Sequence, residues 1–123
     1  MRREGSDRVV ETAVIDIYVG LKEGYDGIQH NLDELERQLQ KICDSGLCVT
    51  IIPCKYIYKD GNEQGAVVRL INYPRFPSDL KSLKERAIEI ASELRSHFGQ
   101  YRMSIQAPDV TYMITEPSAP DRT

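Results

Sequence analysis

Apolar and polar positions alternate along the chain with two distinct periods, and the switches between them mark out the elements. From Ala13 to Leu21 the apolar residues Ile15, Ile17, Val19 and Leu21 interleave with Asp16, Tyr18 and Gly20, the two-residue period of a half-buried strand. A loop with two glycines, KEGYDGIQH, follows. Leu32, Leu35, Leu39 and Ile42 are then spaced 3, 4 and 3, the stripe of an amphipathic helix. Asn31 is its cap and Glu34 completes a capping box. Asp33 and Glu34 place negative charge in the first turn, and Gly46 ends the helix.

Leu47 to Lys59 is β-branched and aromatic, a second strand. Pro53 lies inside it and cannot donate to a ladder, so the strand belongs at a sheet edge or carries a bulge. Asp60, Gly61, Asn62 and Gly65 predict a hairpin connection longer than the two-residue type, followed by a third strand over Ala66–Tyr73. The segment NYPRFPS breaks that strand with two prolines. Ser78 is expected to cap a second helix of five turns, with Leu80, Leu83, Ala87, Ile90, Ala91 and Leu94 as its buried stripe and Gly99 beyond its end. Alternation resumes at Tyr101, Met103, Ile105 and Ala107. The turn residues Ala107-Pro108-Asp109 then lead to a short fifth strand over Val110–Thr115.

The order β-α-β-β-α-β with an added strand predicts an α+β domain of ferredoxin-like, split-βαβ architecture: an antiparallel sheet with two helices on one face. Right-handed crossovers favour the spatial order 4-1-3-2, with the extra strand beside the fourth. Residues 11–115 form the expected single domain, and residues 1–10 and 116–123 are expected to be flexible tails. A chain of 123 residues is long enough for such a core without metal or disulfide support.

That topology gathers three connections at one end of the sheet: residues 22–30, 60–65 and 97–100. Both histidines fall there, His30 and His97, with Tyr25 and Asp26 beside them and Asp60, Asn62 and Glu63 nearby. Two histidines with carboxylates suit a small-ligand or metal-binding protein, or an enzyme, working at this loop end, the alternative to the assembly reading below, although no H-x-x-x-H or H-E-x-x-H spacing is present. A histidine at a helix C-terminus is also favourable through the helix dipole alone. The opposite end offers Arg75, Ser78 and Lys81 around a helix start stiffened by Pro74 and Pro77, an electrostatic setting for an anion. Three cysteines, spaced C-x4-C-x5-C, form no metal or redox motif and read as small hydrophobes. No catalytic triad, metal-ligand set or cofactor-binding pattern is present, so no catalytic residue, metal or cofactor is assigned.

The remaining feature is the sheet face away from the helices. Tyr18, Val67, Arg69, Ile71 and Tyr73 are expected to point outward there, a mixed apolar and aromatic surface. It favours a non-catalytic assembly module, a homo-oligomer or the docking site of a protein partner. Nucleic-acid binding is the weaker alternative: strand three reads AVVRLINY, the RNP1 pattern is absent, and the net charge is −3. No stretch approaches the ~18 apolar residues of a membrane helix. An odd cysteine count and a polar start predict a reducing, cytoplasmic setting.

Overall fold

The computed structural model describes residues 7–24, 27–44 and 46–119. Among them the elements run β1 (Val14–Gly20), α1 (Leu32–Cys43), β2 (Thr50–Tyr58), β3 (Gly61–Ile71), α2 (Leu80–His97), β4 (Arg102–Gln106) and β5 (Thr111–Thr115). They form one five-stranded antiparallel sheet in the order β2-β3-β1-β4-β5, with both helices available to its inner face. This α+β arrangement has the strand order that right-handed crossovers require.

The core forms where the inward residues of the sheet meet the helix stripes. Ile15, Ile17 and Val19 of β1, Val68 and Leu70 of β3, and Met103 and Ile105 of β4 are buried. Leu35 and Leu39 of α1 and Leu83, Ala87, Ile90, Ala91 and Leu94 of α2 close over them. Phe98, just past α2, is fully buried. Asn31 caps α1 as expected, its side chain accepting from the Glu34 amide at 2.9 Å.

Several boundaries differ from the sequence reading. Asp79, not Ser78, caps α2: its carboxylate accepts from the Ser82 amide at 2.7 Å, while the Ser78 amide is taken by Asn72 Oδ1. The β2–β3 connection is tight, because Tyr58 pairs with Gly61 and only Lys59 and Asp60 turn. Asp60 takes the left-handed conformation (φ 63°), which aspartate tolerates better than most residues, so Gly65 is not needed in the turn and lies inside β3. β2 starts at Thr50, which leaves Cys48 before the strand, exposed rather than buried. β2 is an edge strand, the position Pro53 demands.

Residues 1–6 and 120–123 of the expected tails lie outside the described residues. The start of the second tail is tied back to the fold, with the Glu116 amide donating to the Tyr101 carbonyl at 2.8 Å. Among the described residues, no helix is long and apolar enough to cross a membrane.

Candidate functional site

The three connections do converge at one end of the sheet, and the backbone locks them together. The Leu21 amide donates to the Gln64 carbonyl at 3.1 Å, and the Gly24 amide to the Gly99 carbonyl at 2.8 Å. Gly20 and Gly65 stand directly opposite each other in the β1–β3 ladder, with Cys54 of β2 next in the same row. Neither glycine has a side chain, and neighbouring side chains close over both of them, so each is buried. The Tyr56 ring lies over Gly65, and the Glu63 carboxylate and Gln100 amide lie over Gly20.

Each of these groups is positioned by a polar contact. The Tyr56 hydroxyl reaches the carbonyls of Ala66 (3.1 Å) and Val19 (3.3 Å), with one phenolic proton to share between them. Burial, then the neighbouring Cys54 thiol, push the Tyr56 phenol well above its ordinary value, with Glu63 and Tyr18 adding to the rise. It therefore stays a neutral donor at physiological pH. Glu63 Oε2 accepts from the Lys22 amide at 3.1 Å, and Gln100 Nε2 donates to the Lys22 carbonyl. The Gln100 carbonyl is held in turn by Arg95 Nη1 at 3.0 Å. A carboxylate, a phenol and a carboxamide thus pack over two glycines beside backbone carbonyls. That set is rich in acceptors and suits a ligand carrying positive charge or several donors.

The helix-facing side of the same end carries the histidines. Their ring centroids are 6.4 Å apart, and both stack edgewise on Phe98, at 5.1 Å for His30 and 4.8 Å for His97. His30 Nδ1 pairs with Glu34 Oε2 at 2.8 Å. His30 Nε2 is buried without a hydrogen-bond partner and faces Glu23 Oε2 across 3.7 Å. The bond from His30 holds the Glu34 carboxyl below the usual carboxylate range. Among the described residues, no group of three or more His, Cys, Asp or Glu could hold a metal ion. Tyr25 and Asp26 lie outside the described residues.

The other candidates stand apart from this end. Arg75 is exposed and stacks on Phe76, 5.4 Å from the ring centroid. Ser78 donates its hydroxyl to the Asp79 carbonyl at 3.4 Å, and Lys81 is exposed. The Asp79 carboxylate already occupies the α2 N-terminus, where an anion would have to sit.

On the open face, Arg69 grips Asp16 through two bonds of 2.7 and 3.0 Å, and the Tyr18 hydroxyl donates to Gln106 at 2.6 Å. Val67 shares the row of Tyr18, and Ile71 the end of the ladder at Val14. Tyr73 falls past β3 in the turn toward Phe76, with its hydroxyl 3.5 Å from the Cys48 sulfur. Tyr56, Gln100 and the two glycines were not singled out in the sequence. The signal that would have found them is the hairpin length. Once Lys59 and Asp60 alone make the turn, Tyr56 and Glu63 become cross-strand partners.

No family model and no curated protein sequence matches the chain. Two solved structures do match by fold. One is a phage SAM lyase in complex with S-methyl-5'-thioadenosine, with a TM-score of 0.77 and 15% identity, covering 94% of this chain and 98% of that one. The other is a phage SAM lyase in the apo state, with a TM-score of 0.72 and 16% identity, covering 93% of this chain and 98% of that one. This overturns the expectation of a non-catalytic assembly module, because the chains that share the fold along nearly their full length are those of an enzyme. An open sheet face in this architecture is no sign of assembly alone. In fold, over nearly its whole length, the chain is similar to phage SAM lyase.

Proposed function

We propose that this protein is a small-molecule enzyme of the SAM lyase type, working at the sheet end where Tyr56, Glu63 and Gln100 pack over Gly20 and Gly65. The observation that carries the reading is a coincidence of two facts. The fold matches a lyase chain seen with S-methyl-5'-thioadenosine in place, and this chain gathers a carboxylate, a phenol and a carboxamide over two buried glycines at one end of its sheet. The strand order supports the finer reading of the sheet as ferredoxin-like. The cytoplasmic setting read from the odd cysteine count belongs to the same proposal.

The chemistry fits the groups present. SAM carries a sulfonium cation. When the bond from sulfur to the amino-acid fragment breaks, its electron pair goes to sulfur and leaves a neutral thioether, S-methyl-5'-thioadenosine. The carbon that loses sulfur is repaid from within the substrate, by its own carboxylate or by a C–H bond whose proton departs. Neither water nor a redox partner enters the balance. Glu63 attracts the cation to this end of the sheet, where reduced solvent contact strengthens the attraction. It is also a proton acceptor on that side. The Tyr56 phenol and Gln100 amide supply donors and acceptors that orient the rest. The histidine pair on Phe98 lies at the same end on the helix-facing side of the sheet, across from these groups.

The test is to incubate the purified protein with SAM and follow S-methyl-5'-thioadenosine by liquid chromatography and mass spectrometry. We expect product to accumulate above the spontaneous rate, and Glu63→Gln to lower that rate by on the order of 100-fold. Gly20→Ala should have the same effect while the fold persists, since its methyl meets only the flexible ends of Glu63 and Gln100. Absence of product, together with no thermal stabilisation by S-methyl-5'-thioadenosine, would overturn the assignment.

A further inference from the structure

The opposite end of the sheet holds a feature that the proposed reaction does not use. Cys43 is the last residue of α1, and Cys48 lies two residues before β2. Both are free; Cys43 is half-buried and Cys48 is exposed. The chain turns back between them, with Gly46 in the left-handed region at φ 107° and its amide donating to the Cys43 carbonyl at 2.9 Å. The two residues line one pocket of about 270 Å³ between α1 and β2, together with the aliphatic Leu39, Leu47, Val49 and Ile51 and the polar Glu36 and Gln40.

The turn at Gly46 brings the chain back so that both cysteines line that one pocket. The groups that act on the Cys43 thiol are Cys48, the Val49 amide, Asp44 on its own helix end and Arg86 of α2. Burial, then Cys48, keep the Cys43 thiol above its ordinary value, so Cys43 rests as the protonated, inner member of the pair. Cys48 is the outer member, its sulfur bonded only weakly to the Tyr73 hydroxyl at 3.5 Å.

We propose that Cys43 and Cys48 are a dithiol site that takes a small, uncharged aliphatic disulfide and closes into an intramolecular disulfide. In the first step the Cys48 thiolate attacks one sulfur of the small disulfide. The S–S bond breaks, and the leaving thiolate takes up a proton. Cys43 then gives up its proton and attacks the Cys48 sulfur of the mixed disulfide, expelling the second small thiol. Two protein thiols are oxidised and one small disulfide is reduced to two thiols. The aliphatic residues of the pocket suit the carbon chains of the reagent, the Glu36 carboxylate repels an anionic one, and the five-residue separation of the cysteines keeps the closing loop short. The closed form links the end of α1 to the start of the β2 edge.

The experiment uses the full chain and 2-hydroxyethyl disulfide under native conditions, with an acid quench, intact mass measurement and peptide mapping. The expected product has lost the mass of two hydrogens, with the Cys43 and Cys48 peptides joined, and dithiothreitol restores the starting mass. Cys54→Ser should behave as wild type, and Cys43→Ser should stop at a single hydroxyethyl adduct on Cys48. Three results would each overturn the site: a wild-type chain that retains the adduct on Cys48, one that does not react, or a cross-link that includes Cys54. Wild-type mapping alone decides between these, so the outcome does not depend on how well the variants fold.

Discussion

Gly65→Ala isolates the steric demand of the packing over the glycine pair. Gly65 has ordinary strand backbone, so the substitution brings no conformational strain, and its cost comes from space alone. A methyl group there would run into the Val19 carbonyl oxygen and the Tyr56 ring, both far inside contact distance. The carbonyl belongs to β1, at the centre of the sheet, and cannot retreat without moving the ladder. Overpacking of this kind costs about 1–3 kcal/mol. Tyr56 can escape only by swinging away from its two carbonyl partners, which adds about 1 kcal/mol for lost hydrogen bonding. The sum is roughly 2–4 kcal/mol, or a fall in melting temperature of about 8–16 °C for a domain of this size. Urea and thermal unfolding followed by far-UV circular dichroism measure it. Gly20→Ala serves as control, because its methyl displaces only side-chain ends and should cost under about 1 kcal/mol. Adding Tyr56→Ala to Gly65→Ala should recover part of the loss, since one of the two obstructions disappears. A Gly65→Ala chain within about 0.5 kcal/mol of wild type would refute the close approach of β1, β3 and Tyr56.

Three further outcomes follow from named contacts. Asp79→Ala should destabilise the fold by about 1 kcal/mol through loss of the α2 cap, whereas Ser78→Ala should cost only a few tenths; chemical denaturation separates them. Phe98→Ala should cost about 3–5 kcal/mol in the same assay, and should also disperse the imidazole NMR signals of His30 and His97, which both rest on that ring. Tyr56 makes stability fall at alkaline pH. Its folded-state value lies above the unfolded one, so its contribution is fully present below about pH 10 and drains away above it, as the unfolded chain ionises and the folded phenol does not. Urea midpoints measured from about pH 9 to about pH 11 should drop less steeply in Tyr56→Phe than in wild type.

The strand order was legible because few topologies satisfy right-handed crossovers with two amphipathic helices, and the stripes Leu35–Leu39 and Leu83–Leu94 are unambiguous. The Asn31 cap was legible because it precedes a polar, acidic first turn. Asp79 was missed because Ser78 and Asp79 are adjacent and both are good caps, and only Asn72, six residues upstream, decides between them by taking the Ser78 amide. The cluster over the glycine pair was hidden behind Gly65. A glycine near Asp60-Gly61 looks like part of the turn, yet it is a strand residue kept small by a tyrosine from the neighbouring strand. The small-ligand or enzyme alternative fits the fold comparison better than the assembly reading, and the sequence put the two in the wrong order for a more general reason. An open sheet face with Tyr18, Val67 and Arg69 has the same alternation whether it meets a second protein or floors a ligand site, and periodicity does not encode what lies above a sheet.

Pro53 bears on how this protein behaves when crowded. An edge strand is an invitation to a further strand from another molecule, and nine-residue β2 is the longer of the two edges here. The proline deprives that edge of one N–H and fixes its backbone midway, and the exposed Lys55 follows two residues later. At the other edge, β5 is only five residues long. A neighbouring chain that tried to extend the sheet would find an interrupted template on one side and a short one on the other. The same residue that limits the ladder therefore guards concentrated solutions of the protein against growth into fibrils.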